Sequence, residues 1–134
     1  MQASRLAGIP LFAGLPGEEL DQIAAVAVEA EAGEGEAIAT EGDLGHALFA
    51  IESGTVEVSA DGKVLATLAP GDVFGEVAVM AAGIRMATVR TTSPVRLIGL
   101  FKRDVWALEQ RSPQTYAHLL DLMNQRTYGA SGTT

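Results

Sequence analysis

Turn-forming clusters punctuate the middle of this chain about every eight to ten residues, which leaves room between them only for short elements. They are Gly33-Glu34-Gly35, Gly42-Asp43 with Gly45, Ser53-Gly54, Asp61-Gly62, Pro70-Gly71-Asp72 and Thr92-Ser93-Pro94. The runs between them are strand-like, as in Ala47–Ile51, Thr55–Ser59, Val64–Leu68 and Val95–Phe101. In Thr55-Val56-Glu57-Val58 apolar and polar residues alternate, as on a strand with one buried face. Asp61-Gly62 joins two such runs with residues that both tolerate positive φ, a hairpin signature. Many short strands at this spacing predict a sandwich or barrel.

The ends have a different period. Residues 1–30 read as helical: Pro16-Gly17-Glu18-Glu19 opens a helix with acids in its first turn, where the helix dipole favours them. Leu20, Ile23, Ala24 and Ala27 then form an apolar stripe. After the strand region of residues 31–101, Lys102–Gln110 reads as a helix with Val105, Trp106 and Leu108, and Ser112-Pro113 as the N-cap and first position of another. Tyr116, Leu119, Leu120 and Met123 share one face of that last helix, either as permanent packing or as a surface that moves. Residues 102–128 are thus helical, and the small polar residues 129–134 form a loose tail. Residues 1–128 make one expected domain, mainly β with flanking helices.

Composition narrows the function. With 48% hydrophobic but only 5% aromatic residues, the core must be built mostly of Val, Leu, Ile and Ala. Without cysteine there is no disulfide framework, thiolate metal site or Cys nucleophile, which fits a cytoplasmic protein. Gly8 and Pro10 break the apolar stretch at the N-terminus, and no run is long enough for a membrane span. The two histidines, His46 in a glycine-rich turn and His118 in the last helix, cannot supply a cupin-like metal set, and no Ser-His-Asp signature exists. The chain is therefore expected to be no enzyme and to hold no metal or cofactor. A net charge of −8 argues against a nucleic-acid partner, and any anionic ligand must meet a local cluster of donors.

One segment offers such a cluster. Gly75 permits close backbone approach, and a short helical turn over Glu76–Met80 would present unpaired N–H groups suited to phosphate. Arg85 follows nine residues after Glu76, far enough for the chain to double back and aim a planar fork at the same oxygens. The same residues also read as an ordinary turn with Arg85 a surface charge.

Phe74-Gly75-Glu76-Val77-Ala78, then six residues, then Arg85-Met86-Ala87-Thr88-Val89 resembles the phosphate-binding cassette of cyclic nucleotide-binding domains. These are the domains of cAMP receptors, protein kinase A regulatory subunits and cyclic-nucleotide-gated channels. The similarity extends through Ile9-Pro10-Leu11-Phe12, Ile38–Asp43, Leu48–Gly54 and Leu68–Asp72 and covers nearly the whole chain. It implies an eight-stranded jelly-roll barrel (a double-stranded β-helix) with an N-terminal helix and two C-terminal helices. By resemblance, Gly75, Glu76, Val77, Ala78, Arg85, Met86 and Ala87 form the cassette. Arg85 would pair with the cyclic phosphate, backbone N–H groups near Ala78 and Ala87 would complete the cradle, and Glu76 would accept from the ribose 2′-hydroxyl. Val58 and Ala66 would touch the purine, and Arg126 on the last helix would cap it, although an arginine there also suits a helix C-terminus. Ile84 stands where the family often has proline, and His46 where it often has Asp or Asn. Met86 lacks the hydroxyl that often meets guanine, so cAMP is expected over cGMP.

The expected function is a cyclic nucleotide sensor that signals by repositioning its C-terminal helices; the alternative is a nucleotide-free interaction module of the same fold. The residues after Phe101 leave no room for a helix-turn-helix domain, so an effector protein or domain outside this chain is expected, and a homodimer through the last helix is possible on this reading.

Overall fold

The computed structural model describes residues 1–75 and 83–126, with the side chains of Leu122, Met123, Gln125 and Arg126 excepted. Helices α1 (Ala3–Ala7) and α2 (Gly17–Val26) lead into β1 (Val28–Ala32), β2 (Ala37–Ala39), β3 (Ala47–Ser53), β4 (Val56–Ala60), β5 (Lys63–Leu68), β6 (Val73–Phe74), β7 (Thr88–Thr91) and β8 (Val95–Phe101). Helices α3 (Lys102–Arg111) and α4 (Pro113–Arg126) follow. The strands form two antiparallel four-stranded sheets, ordered β1-β8-β3-β6 and β2-β7-β4-β5. Strands distant in sequence are therefore neighbours, as in the jelly roll expected from the cassette resemblance.

The sheets enclose one cluster that includes Ile51, Val56, Val58, Phe74, Val89 and Leu97. A second cluster lies on the outer face of the β1-β8-β3-β6 sheet, where Leu48, Ala50, Ile98 and Leu100 meet Leu6, Phe12, Ile23, Val105 and Leu119 from the helical segments. Strands β3 and β8 are thus covered on both faces. This explains why they read as continuous apolar runs, whereas β4, with one face on the core, alternates. The hairpin between β4 and β5 turns at Asp61 and Gly62 with φ of 53° and 75°, both left-handed as the sequence requires.

The N-terminal region departs from the sequence reading. Helix ends at Val26, and Val28-Glu29-Ala30-Glu31-Ala32 is a strand rather than the close of a helical segment reaching residue 30. Alanine and glutamate favour helix locally, but the ladder from Val28↔Gly99 to Ala32↔Val95 makes the segment an edge strand whose β8-facing backbone groups are paired, and this tertiary pairing overrides that preference. Ser112 precedes α4 as expected, yet its hydroxyl does not cap the backbone. It donates to Glu19 Oε1 of α2 at 2.6 Å, and the Thr115 hydroxyl, 2.7 Å from it, donates to Glu19 Oε2.

One carboxylate thereby ties α2 to the α3–α4 junction, and the hydrogen bonds from Ser112 and then Thr115 hold the Glu19 carboxyl below its usual range. Glu52 at the end of β3 is lowered likewise by Arg5, which reaches it from α1 at 2.6 and 2.8 Å and also contacts Glu29 at 2.5 Å. A carboxyl with a lowered folded-state pKa stabilises fully above its unfolded value of about 4.3, and that contribution is lost as pH falls through the lowered value. Glu19→Gln should therefore flatten the fall in thermal midpoint below about pH 4.3. Parallel wild-type and variant curves across that range would show that the tether does not respond to protonation.

Candidate functional site

The site is assembled where the second half of the barrel folds back on the first. Gly83, Ile84 and Arg85 are clipped to the loop before β3: Arg85 N donates to Asp43 O at 2.7 Å, Gly42 N to Arg85 O at 2.9 Å and Gly45 N to Gly83 O at 3.0 Å. An isolated bridge joins Leu44 to Ile84. This clip uses the glycine-rich turn that the sequence flagged only as a turn. It fixes the backbone on both sides of Arg85 and so determines where the side chain can go.

That side chain goes inward. Arg85 is only 9% exposed, and its Nη2 donates to the carbonyl of Ala47 at 2.8 Å, with Nη1 3.5 Å from the carbonyl of Gly75. The guanidinium therefore spans the start of β3 and the residue just after β6. The reading of Arg85 as a surface charge does not hold; it is a buried, positioned fork.

Gly75 has φ of +87°, and a Cβ there would overlap Arg85 Nη1 and lie 3.0 Å from the Ala47 carbonyl oxygen. Glycine is thus required twice, for backbone conformation and for the space the guanidinium occupies. Met86 is 48% exposed beside the fork, whereas Ala87 is buried. Gly75, Arg85, Met86 and Ala87 line a common cleft with Ala39, Phe74 and Val89. As it stands the cleft encloses about 10 Å³, near the volume one water needs.

The remaining expected residues are placed differently. Val58 has no solvent exposure; it lies in the core between the sheets, opposite Ala66 of β5 and Val89 of β7, while Ala66 is half-buried. Glu76, Val77 and Ala78 lie outside the described residues, and Arg126 closes α4 with its side chain outside them. On the face of α4 read as a stripe, Leu119 is buried and Tyr116 and Leu120 pack against the helical core, whereas the Met123 side chain is outside the described set. Sequence reasoning missed the Ala47 carbonyl altogether. A backbone acceptor carries no residue signature, and only the pairing of β3 with β8 and β6 places it there.

Among the described residues no group of three or more His, Cys, Asp or Glu side chains could hold a metal ion, and no helix is long and apolar enough to cross a membrane. The chemistry present is that of anion recognition: a forked cation fixed in a cleft beside backbone that approaches closely.

Comparisons with known proteins agree with this chemistry. The family model for the cyclic nucleotide-binding domain matches residues 29–112. The chain is 34% identical over 124 residues to the cyclic AMP receptor protein of Thermus thermophilus, covering 89% of this chain and 57% of that protein. It is 35% identical over 91 residues to a cGMP-dependent protein kinase of Drosophila melanogaster, covering 68% of this chain and 8% of the kinase. This chain thus spans just over half the length of the first and a small part of the second. In fold it is similar to a putative cyclic nucleotide-binding protein from Geobacter metallireducens, with a TM-score of 0.86, 21% identity, and coverage of 94% of this chain and 95% of that one. Its fold, its cassette and the family match over most of the barrel agree: the chain belongs to the cyclic nucleotide-binding domain family.

Proposed function

We propose that this chain is a cytoplasmic cyclic nucleotide sensor that prefers cAMP, acts by binding rather than catalysis, and passes the signal to an effector through α3 and α4. The observation that carries this reading is the convergence of Gly75, Arg85, Met86 and Ala87 on one cleft, with the arginine buried and forked. In binding, the Arg85 fork turns from the carbonyls of Ala47 and Gly75 to the two exocyclic oxygens of the cyclic phosphate, a charged, bidentate contact. Glu76 takes the ribose 2′-hydroxyl, N–H groups near Ala78 and Ala87 complete the phosphate cradle, and Met86, having no hydroxyl, offers guanine's amino group no partner. The purine lies toward Ala66, with Arg126 above it.

Release of the Ala47 carbonyl connects the site to the helices. Ala47 is paired with Phe101, the last residue of β8, and α3 begins at the next residue. A shift in how Arg85 holds Ala47 is therefore felt at the root of α3, and ligand moves the helices by its differential affinity for their two positions. Tyr116, Leu119 and Leu120 pack within the chain, so pairing of two copies through α4 would require that face to detach.

The competing reading is a nucleotide-free interaction module of the same fold. Equilibrium dialysis with cAMP and cGMP, followed by amide exchange of the saturated protein, separates the two. A sensor binds one cAMP per chain, binds cGMP more weakly, and shows slowed exchange across 115–126. Retention of neither nucleotide would favour the interaction module, and unchanged exchange at saturation would refute signalling through α4.

A further inference from the structure

We propose a second binding site at the root of α3, taking an acidic peptide segment of a partner protein that carries an apolar anchor residue. His46, Phe101, Lys102, Arg103 and Trp106 line a concavity of about 400 Å³, far larger than the cassette cleft. Phe101 and Trp106 remain 41% and 50% exposed, two aromatic side chains left in water within six residues of each other. Lys102 places its ammonium 4.5 Å from the centre of the Trp106 ring, and Arg103 is exposed beside it.

Two properties define the occupant. The walls combine aromatic faces with cations, and among the described residues that line it none is a carboxylate, although the chain carries a net charge of −8. Aromatic walls favour an apolar side chain seated between them, and the two cations favour carboxylates flanking it. An extended polyanion such as nucleic acid meets the same two cations but also the repulsion of the whole acidic chain, whereas a short segment with a few carboxylates engages the local field alone.

The site is separate from the cassette cleft and does not rest on the nucleotide reading. It lies close to that cleft along the chain: Lys102 N donates to His46 O at 2.8 Å, one residue before the Ala47 carbonyl that holds Arg85.

Trp106 is the chain's single tryptophan, so its emission reports occupancy directly. The full chain is titrated, without nucleotide, with a blocked hexapeptide bearing leucine and phenylalanine between glutamates and aspartates, and with its lysine-for-acid counterpart. The acidic peptide should give a saturable change in Trp106 emission and the lysine peptide none. Arg103→Glu should weaken the acidic peptide about tenfold or more, and raising salt from about 50 to about 300 mM should weaken it severalfold. The thermal midpoint of the variant should not fall, since an acid suits the first turn of a helix. Absence of a saturable change, equal response to both peptides, or full affinity in folded Arg103→Glu would overturn the proposal. So would a peptide-independent dimer in sedimentation velocity that Trp106→Ser abolishes, because a second copy would then be the occupant.

Discussion

Replacing Arg85 by alanine is expected to lower cAMP affinity by about thirty-fold to several-thousand-fold, the equivalent of about 2–5 kcal/mol for losing one partner of a buried charge pair. The size follows from burial. At 9% exposure the guanidinium acts where water cannot replace it, and its backbone on both sides is clipped to residues 42–45. Another cation cannot move into the same place without rebuilding that clip. Arg85→Lys should also bind weakly, because an ammonium cannot reproduce a two-pronged contact. Fluorescent cAMP displacement checks both variants, with thermal melts confirming that each remains folded. Alanine leaves the Ala47 carbonyl without this donor, so a modest loss of stability accompanies the loss of affinity.

A single methyl group at position 75 should be nearly as damaging. Gly75→Ala sets a side chain at φ of +87°, which costs about 1–2 kcal/mol in the left-handed region, and drives that carbon into Arg85 Nη1. The guanidinium is the movable party, since the other neighbour, at 3.0 Å, is the backbone oxygen of Ala47. The fork therefore leaves its position, and affinity should fall at least about tenfold beyond any effect on folding. Gly62→Ala supplies the control: Gly62 has φ of +75°, but nothing lies within 4 Å of an added Cβ. Gly75→Ala should lose at least as much stability in chemical denaturation as Gly62→Ala, and only Gly75→Ala should lose cAMP affinity. Equal affinities in the two variants would mean that Gly75 serves the turn and not the site.

Much of this was legible in the sequence because the informative residues act locally. Asp61-Gly62 specifies its own hairpin, and the apolar runs Ala47–Ile51 and Val95–Phe101 declare strands, which the structure covers on both faces. The cassette was legible for a related reason, since Gly75 and Arg85 are chemically distinctive and keep a fixed spacing. What escaped depends on partners remote in sequence. The strand β1 looks helical until β8 is placed beside it, and Ser112, which stands before α4 as read, gives its hydroxyl to a carboxylate of α2 that no local pattern announces. The anchoring of Arg85 by a backbone carbonyl, 38 residues earlier, has no signature in side chains at all. The alternating pattern of Thr55-Val56-Glu57-Val58 showed that one face of β4 is buried, and Val58 lies on that face, in the cluster that also holds the cleft-lining Ala39, Phe74, Ala87 and Val89.

Calorimetric titration of cAMP into the wild-type chain and into Arg85→Ala, from protein freed of any co-purified nucleotide, tests the central claim most directly. The expected result is one-to-one binding by the wild type and a loss of at least about thirty-fold in the variant. Equal heats and affinities in the two folded proteins would contradict the assignment of Arg85 to the phosphate, and the absence of heat from both would leave a barrel of this family that does not bind cAMP.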